Sequence, residues 1–272
     1  MRSLVALSSA LLAASLVIVD PAAARLPTSS GVELAAFESA CGVDDAADLA
    51  RARRLARVTR DVRHAASVHE VSVREEVVDR VAPMRDEVEA ELREMIASSR
   101  AWIADDHDGA LSRLSAVRLA WPSADGTSGA LDLRRGCGED LLVDDAWVDK
   151  SATAIAICPG FLVVSSEGQP AGDGAWRDAI AFLLAHEVGH VVVGPTARGR
   201  DTERDAEIAA DRWASRLLDA RLARAEPSER SAMTRRALEP ICGPATDPVH
   251  PSGRERIAIV TEAPRIAASL AR

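Results

Sequence analysis

Residues 176–192 read Trp-Arg-Asp-Ala-Ile-Ala-Phe-Leu-Leu-Ala-His-Glu-Val-Gly-His-Val-Val, and this stretch decides how the rest of the chain is read. It is apolar on nearly every side before its first histidine, the pattern of a helix buried all round. Two histidines four residues apart, His186 and His190, project from one face of such a helix, one turn above the other. Both imidazoles can therefore reach one cation from a single rigid element. Glu187 points about 100° away around the helix. It would lie beside a cation rather than bind it, the position of a general base acting on water. Gly189 is costly inside a helix, and its use there would be to let another backbone come close.

Two imidazoles leave a catalytic zinc site one protein ligand short. Residues 203–220 supply a candidate, because Ala206, Ala210, Trp213, Ala214 and Leu217 recur at helical spacing. On that helix Glu207 and Asp211 are again four apart. Glu207 is assigned as the third ligand. Asp211 is assigned to the other ring N–H of a ligating histidine, fixing its tautomer. The connection between the helices carries Gly194-Pro195 and Gly199, turn residues that allow an antiparallel pair.

His-Glu-x-x-His followed by Glu-x-x-x-Asp resembles the gluzincin metallopeptidases. The stretch Glu207 to Arg212, Glu-Ile-Ala-Ala-Asp-Arg, is similar to the HtpX and prenyl-protease-like family, as is His250-Pro251 followed by Arg256-Ile257. The resemblance covers roughly residues 150–262. Sixteen residues separate His190 from Glu207, fewer than is usual in that family and closer to compact bacterial metallopeptidases. It implies one zinc ion per chain on His186, His190 and Glu207, with Glu187 as the catalytic carboxylate and a protein or peptide as substrate. Gluzincins often steady the tetrahedral oxyanion with tyrosine or histidine. This chain has no tyrosine. His250 is the catalytic candidate for that task, with Arg254 and Arg256 as competitors and a structural His-Pro turn as the alternative.

The expected fold class is α+β and mostly helical: a zincin-like core with a small β-sheet and an N-terminal helical arm. Three units are expected. Residues 1–24 read as an export signal, with Arg2, an apolar run over 4–19 and Ala22-Ala23-Ala24 as cleavage site; an uncleaved anchor is the alternative and the only membrane contact expected. Residues 25–130 form an irregular lead-in and a charged helical arm, kinked at Pro83. Residues 131–272 form the metallopeptidase domain, after a boundary over 121–136. Short apolar runs at Leu141–Val143, Thr153–Ile157 and Phe161–Val164 read as strands, and 153–157 is the candidate edge strand for an extended substrate.

Export to the periplasm or medium fits four cysteines and two disulfides, with Cys137–Cys158 expected and Cys41–Cys242 following from it. A cysteine metal site is disfavoured, since no Cys-x-x-Cys occurs. A net charge of −9 with no basic block argues against a nucleic-acid partner. His64, His69 and His107 read as exposed polar residues. The competing function is a non-catalytic, metallopeptidase-like binding or scaffold protein of the cell envelope.

Overall fold

The computed structural model describes residues 45–103, 109–149, 151–167, 175–194, 200–242 and 248–265. The expected signal segment, Cys41 and His107 lie outside these residues. The architecture is α+β and mostly helical, with a small mixed sheet.

The charged N-terminal region folds as α1 (Asp45–His69), α2 (Val73–Val81) and α3 (Arg85–Trp102). Ser72 starts α2 with a capping box, accepting from the Glu75 N–H while Glu75 accepts from the Ser72 N–H. Pro83 sits in a 3₁₀ turn, Ala82–Met84, and divides α2 from α3 where the sequence predicts the kink. A short helix α4 (Ala110–Ala116) leads into β1 (Arg118–Ala120). The hairpin β2 (Thr127–Ser128) and β3 (Leu131–Asp132) and the one-turn helix α5 (Arg134–Cys137) precede β4 (Ala146–Val148) and β5 (Ala154–Ile157). After α6 (Pro159–Ser166) come two more long helices, α7 (Ala175–Val193) and α8 (Arg200–Arg224), then α9 (Arg230–Leu238) and α10 (Gly253–Val260).

The three-stranded sheet runs β1-β5-β4, with β1 parallel and β4 antiparallel to β5. All four residues of β5 are buried, which explains its unbroken apolar run: a strand covered on both faces has no polar side. The expectation that 153–157 is an edge strand is therefore corrected. β5 is the centre, and the edges are β1 and β4.

Two other expected strands also differ. Phe161–Val164 belongs to α6, which Pro159 starts at its first turn. A four-residue apolar run has no period long enough to separate strand from buried helix. Leu141–Val143 is irregular. Leu141 has φ +58° yet is fully buried, and its carbonyl accepts from the Gly160 N–H. Gly160 permits this, because a Cβ there would meet the Leu142 carbonyl carbon at 2.4 Å.

One apolar core spans the chain on both sides of position 130. Val58, Val62, Val77 and Val88 from the first three helices share it with Leu162, Ile180, Phe182 and Leu184. Arg118 of β1 likewise registers with Ala154 of β5. Cys137 and Cys158 form a buried disulfide, as expected. Cys242 is also disulfide-bonded; Cys41, its expected partner, is not among the described residues.

Candidate metal centre

α7 and α8 run antiparallel. The contacts His190–Glu207, Gly189–Ala210, His186–Asp211 and Asp178–Arg221 step along both helices in opposite directions. Gly189 explains how close they come. A Cβ at this position would stand 2.7 Å from the Ala210 carbonyl oxygen and 2.8 Å from its Cα, so only glycine fits. That contact lies between the two histidines, and it brings the α8 carboxylates to the rings.

No sequence motif marks what anchors the C-terminal end of α7. Arg113 of α4 donates from Nε to the Val191 carbonyl and from Nη2 to the Val192 carbonyl, both at 2.7 Å. It satisfies helix-end carbonyls that would otherwise lack partners, and its charge complements the helix dipole. Gly194, at φ +79°, then turns the chain, and its N–H donates to the His190 carbonyl.

His186 Nε2 and His190 Nε2 face each other at 3.0 Å, and each lies 3.2 Å from one oxygen of Glu207. One ligand atom from each residue falls within 4.8 Å of the others, so a single cation could be held by all three. His186 Nδ1 is 2.8 Å from Asp211 Oδ1. Asp211 is fully buried and, ionised, can only accept, so a neutral His186 ring keeps its proton on Nδ1 and turns its Nε2 lone pair to Glu207. Glu207 Oε2 is buried and has no hydrogen-bond partner, because its ion-pair distance to His186 lacks hydrogen-bond geometry. A buried carboxylate oxygen beside two imidazole nitrogens is a set of acceptors able to hold a cation.

Arg256 of α10 completes the surroundings. Its Nε donates to Asp211 Oδ2 at 3.1 Å, and its Nη2 is 3.3 Å from each nitrogen of the His186 ring. It thus holds the Asp211 oxygen that His186 does not use and lies against the ring. His250 Nε2 is 3.7 Å from Glu207 Oε2, at the cleft wall. It stands two residues before Ser252, which opens α10 with a second capping box. The position serves both ideas about His250, a group facing the site and the start of a turn. Arg254 is exposed and does not line the cleft.

Glu187 is 4% exposed and lines the same cleft as both histidines. Burial pushes its carboxyl above the ordinary range, against the pull of His186 and His190. Glu207 goes the other way: burial raises it, but the two histidines hold it well below the usual carboxylate range. Asp211 is lowered too, with His186 and Arg256 outweighing burial. With only these protein groups around it, His186 is pushed down by burial and by Arg256. The Asp211 and Glu207 carboxylates overcome both and raise it to about 9.

The cleft has a volume of about 450 Å³. Its wall opposite α7 is the β4 edge, with Asp145 before it and Asp149 after it. Asp149 is occupied, accepting from the N–H groups of Thr153 and Ala154 in its own turn. Asp145 and Glu203, one turn before Glu207, also line the cleft, and the sequence carried no motif to mark them. His64 and His69 are exposed as expected, and His69 pairs with Glu76 at 2.9 Å. Comparisons with protein-family models, curated proteins and solved structures found no match to this chain.

Proposed function

We propose that this chain is an exported zinc-dependent endopeptidase with a zincin-like core. The observation that carries the reading is the convergence of two imidazole nitrogens and a carboxylate with an unpartnered buried oxygen, next to a fourth, buried carboxylic side chain. The residues fit a divalent ion of borderline softness: two neutral rings and one carboxylate suit zinc and leave a position open for water. When bound, the cation supplies Lewis acidity, acidifying water and polarising a carbonyl.

The chain's own groups supply the rest. Glu187 is desolvated, which strengthens it as a base. It takes the proton of the attacking water and delivers it to the departing amine. Asp211 and Arg256 lock the His186 ring so that its Nε2 lone pair faces the site. The cleft between β4 and α7 accepts an extended polypeptide, and His250 lies close enough to Glu207 to meet charge developing on the scissile carbonyl. The buried Cys137–Cys158 bridge supports an oxidising compartment, the periplasm or the medium.

The test is metal analysis of the purified protein together with hydrolysis of unfolded casein. One zinc per chain and turnover blocked by phenanthroline are expected. A His190→Ala variant should lose both metal and turnover. Stoichiometric zinc without any hydrolysis would instead favour a non-catalytic binding protein.

A further inference from the structure

We infer that the N-terminal helix α1 forms one wall of the substrate site, and that the cavity it closes takes a large apolar side chain of a polypeptide. The word substrate rests on the peptidase reading; the cavity and its preference do not. A second cavity of about 450 Å³ adjoins the metal-site cleft. The two share Asp145, Leu183, His250 and Arg256. Leu183 is three residues before His186 on the same helix, so the junction lies one helical turn from the candidate metal ligands.

The side away from the metal is built by α1. Ala52 and Leu55 face Phe161, Ile241 and Pro251 across the cavity. Arg51 also lines it, but its charge is consumed. Nε and Nη2 each donate to the Asp144 carboxylate at 2.6 Å, and the guanidinium lies 4.7 Å from the centre of the Phe161 ring. Arg256 is likewise engaged by Asp211. Asp145 and His250 keep the shared junction polar; beyond it the surface offered to an occupant is mainly hydrocarbon, from Ala52, Leu55, Phe161, Ile241 and Pro251, and the paired Arg51 and Asp144 tie α1 to the loop before β4. Leu55 and Leu183 are only partly buried, so they retain apolar area that an incoming side chain can cover. A chain lying along the cleft needs only to turn one side chain through the shared junction. The occupant is thus part of the polypeptide already seated at the site, and α1 becomes a specificity element of the enzyme.

The experiment uses zinc-loaded Glu187→Gln protein and fluorescein-labelled hexapeptides that carry Phe, Leu, Ala or Arg at each position in turn. Binding is read by fluorescence anisotropy. At one position, Phe and Leu peptides should bind at least tenfold more tightly than the Ala peptide. Ala52→Trp fills the cavity from an exposed position on α1 and should reduce that ratio to about twofold or less. Leu55→Ala enlarges the cavity and should shift the preference towards Trp; circular dichroism melts check that both variants fold. No preference for apolar residues, a preference for Arg, no binding at all, or a preference untouched by either variant would overturn the inference. Hydrolysis by the unsubstituted protein separates the two ideas. Selective binding without any turnover would sink the peptidase reading and leave the cavity assignment intact. Turnover without the preference would do the reverse.

Discussion

The helix pair α7–α8 buries ionised groups at both ends, and the two ends are built differently. At one end Asp178 accepts from Arg221 at 3.1 Å and from Arg236 at 2.6 Å and 2.9 Å, while Arg221 also pairs with Glu91. Two carboxylates meet two guanidiniums, and of the Arg221 side chain's buried nitrogens only Nε lacks a partner. At the other end Glu207 and Asp211 face a single guanidinium, Arg256, the carboxyls of Glu187 and Asp145 lie near them, and two imidazole nitrogens turn towards one point. The first cluster is balanced, whereas the carboxyls of the second outnumber its one guanidinium. The first holds helices together. The second draws a proton onto His186 when only protein groups surround it, and its three ligand atoms could instead hold a cation.

The largest expected effect breaks this comparison at the chemical end. Glu187→Gln should lower peptide hydrolysis about a thousandfold while zinc per chain stays at one. Activity and metal content measured on the same preparation check it, and full activity in the variant would remove Glu187 from the mechanism. Next comes the balanced end. Arg221→Met leaves Glu91 without its partner and weakens the hold on Asp178, so urea unfolding should report a loss of about 3 kcal/mol. Zinc stoichiometry should not change; if it fell too, the two ends would not be independent.

Asp211→Asn tests the link between His186 and its support. Metal affinity, read by competition with a chelating dye, should weaken by about ten- to a hundredfold, with Glu207 and both histidines intact. The smallest effect per step is the response to pH. His186 is held at about 9 by the neighbouring carboxylates, so near neutrality it must lose its proton to bind a metal. The sign follows: zinc affinity should rise about tenfold per pH unit between pH 6 and 8, flattening as pH passes that value. Calorimetry in buffers of different ionisation enthalpy should record about one proton released per zinc from this group. Affinity independent of pH would mean that His186 is already neutral.

Much of the candidate centre was legible because helical spacing is local. His186 and His190, and Glu207 and Asp211, are each four apart, and a period of 3.6 residues puts each pair on one face wherever the helix lies. Gly189 was legible as a close-approach position for the same reason, although only the packed structure names Ala210 as its neighbour. Arg113, Asp145 and the Asp178–Arg221–Arg236 cluster had no such mark. Their partners lie far away along the chain, and a lone arginine or aspartate is the same letter on a surface or in a core. The strands failed where runs were shortest: Phe161–Val164 is helical and Leu141–Val143 irregular, since burial alone makes any such run apolar.

The amino-acid order by itself determined the helices α7 and α8, the break at Pro83 and the residues able to hold a cation, and it favoured Cys137–Cys158 among three possible connectivities. Those follow from periodicity, backbone restriction and side-chain chemistry, all of which act over a few residues or through residue type. Tertiary structure alone decided that β4 and not β5 borders the cleft, that Arg256 braces Asp211, and that α1 closes a second cavity. Each of these joins segments far apart in the chain, and which distant surfaces meet is settled only when the whole core is packed.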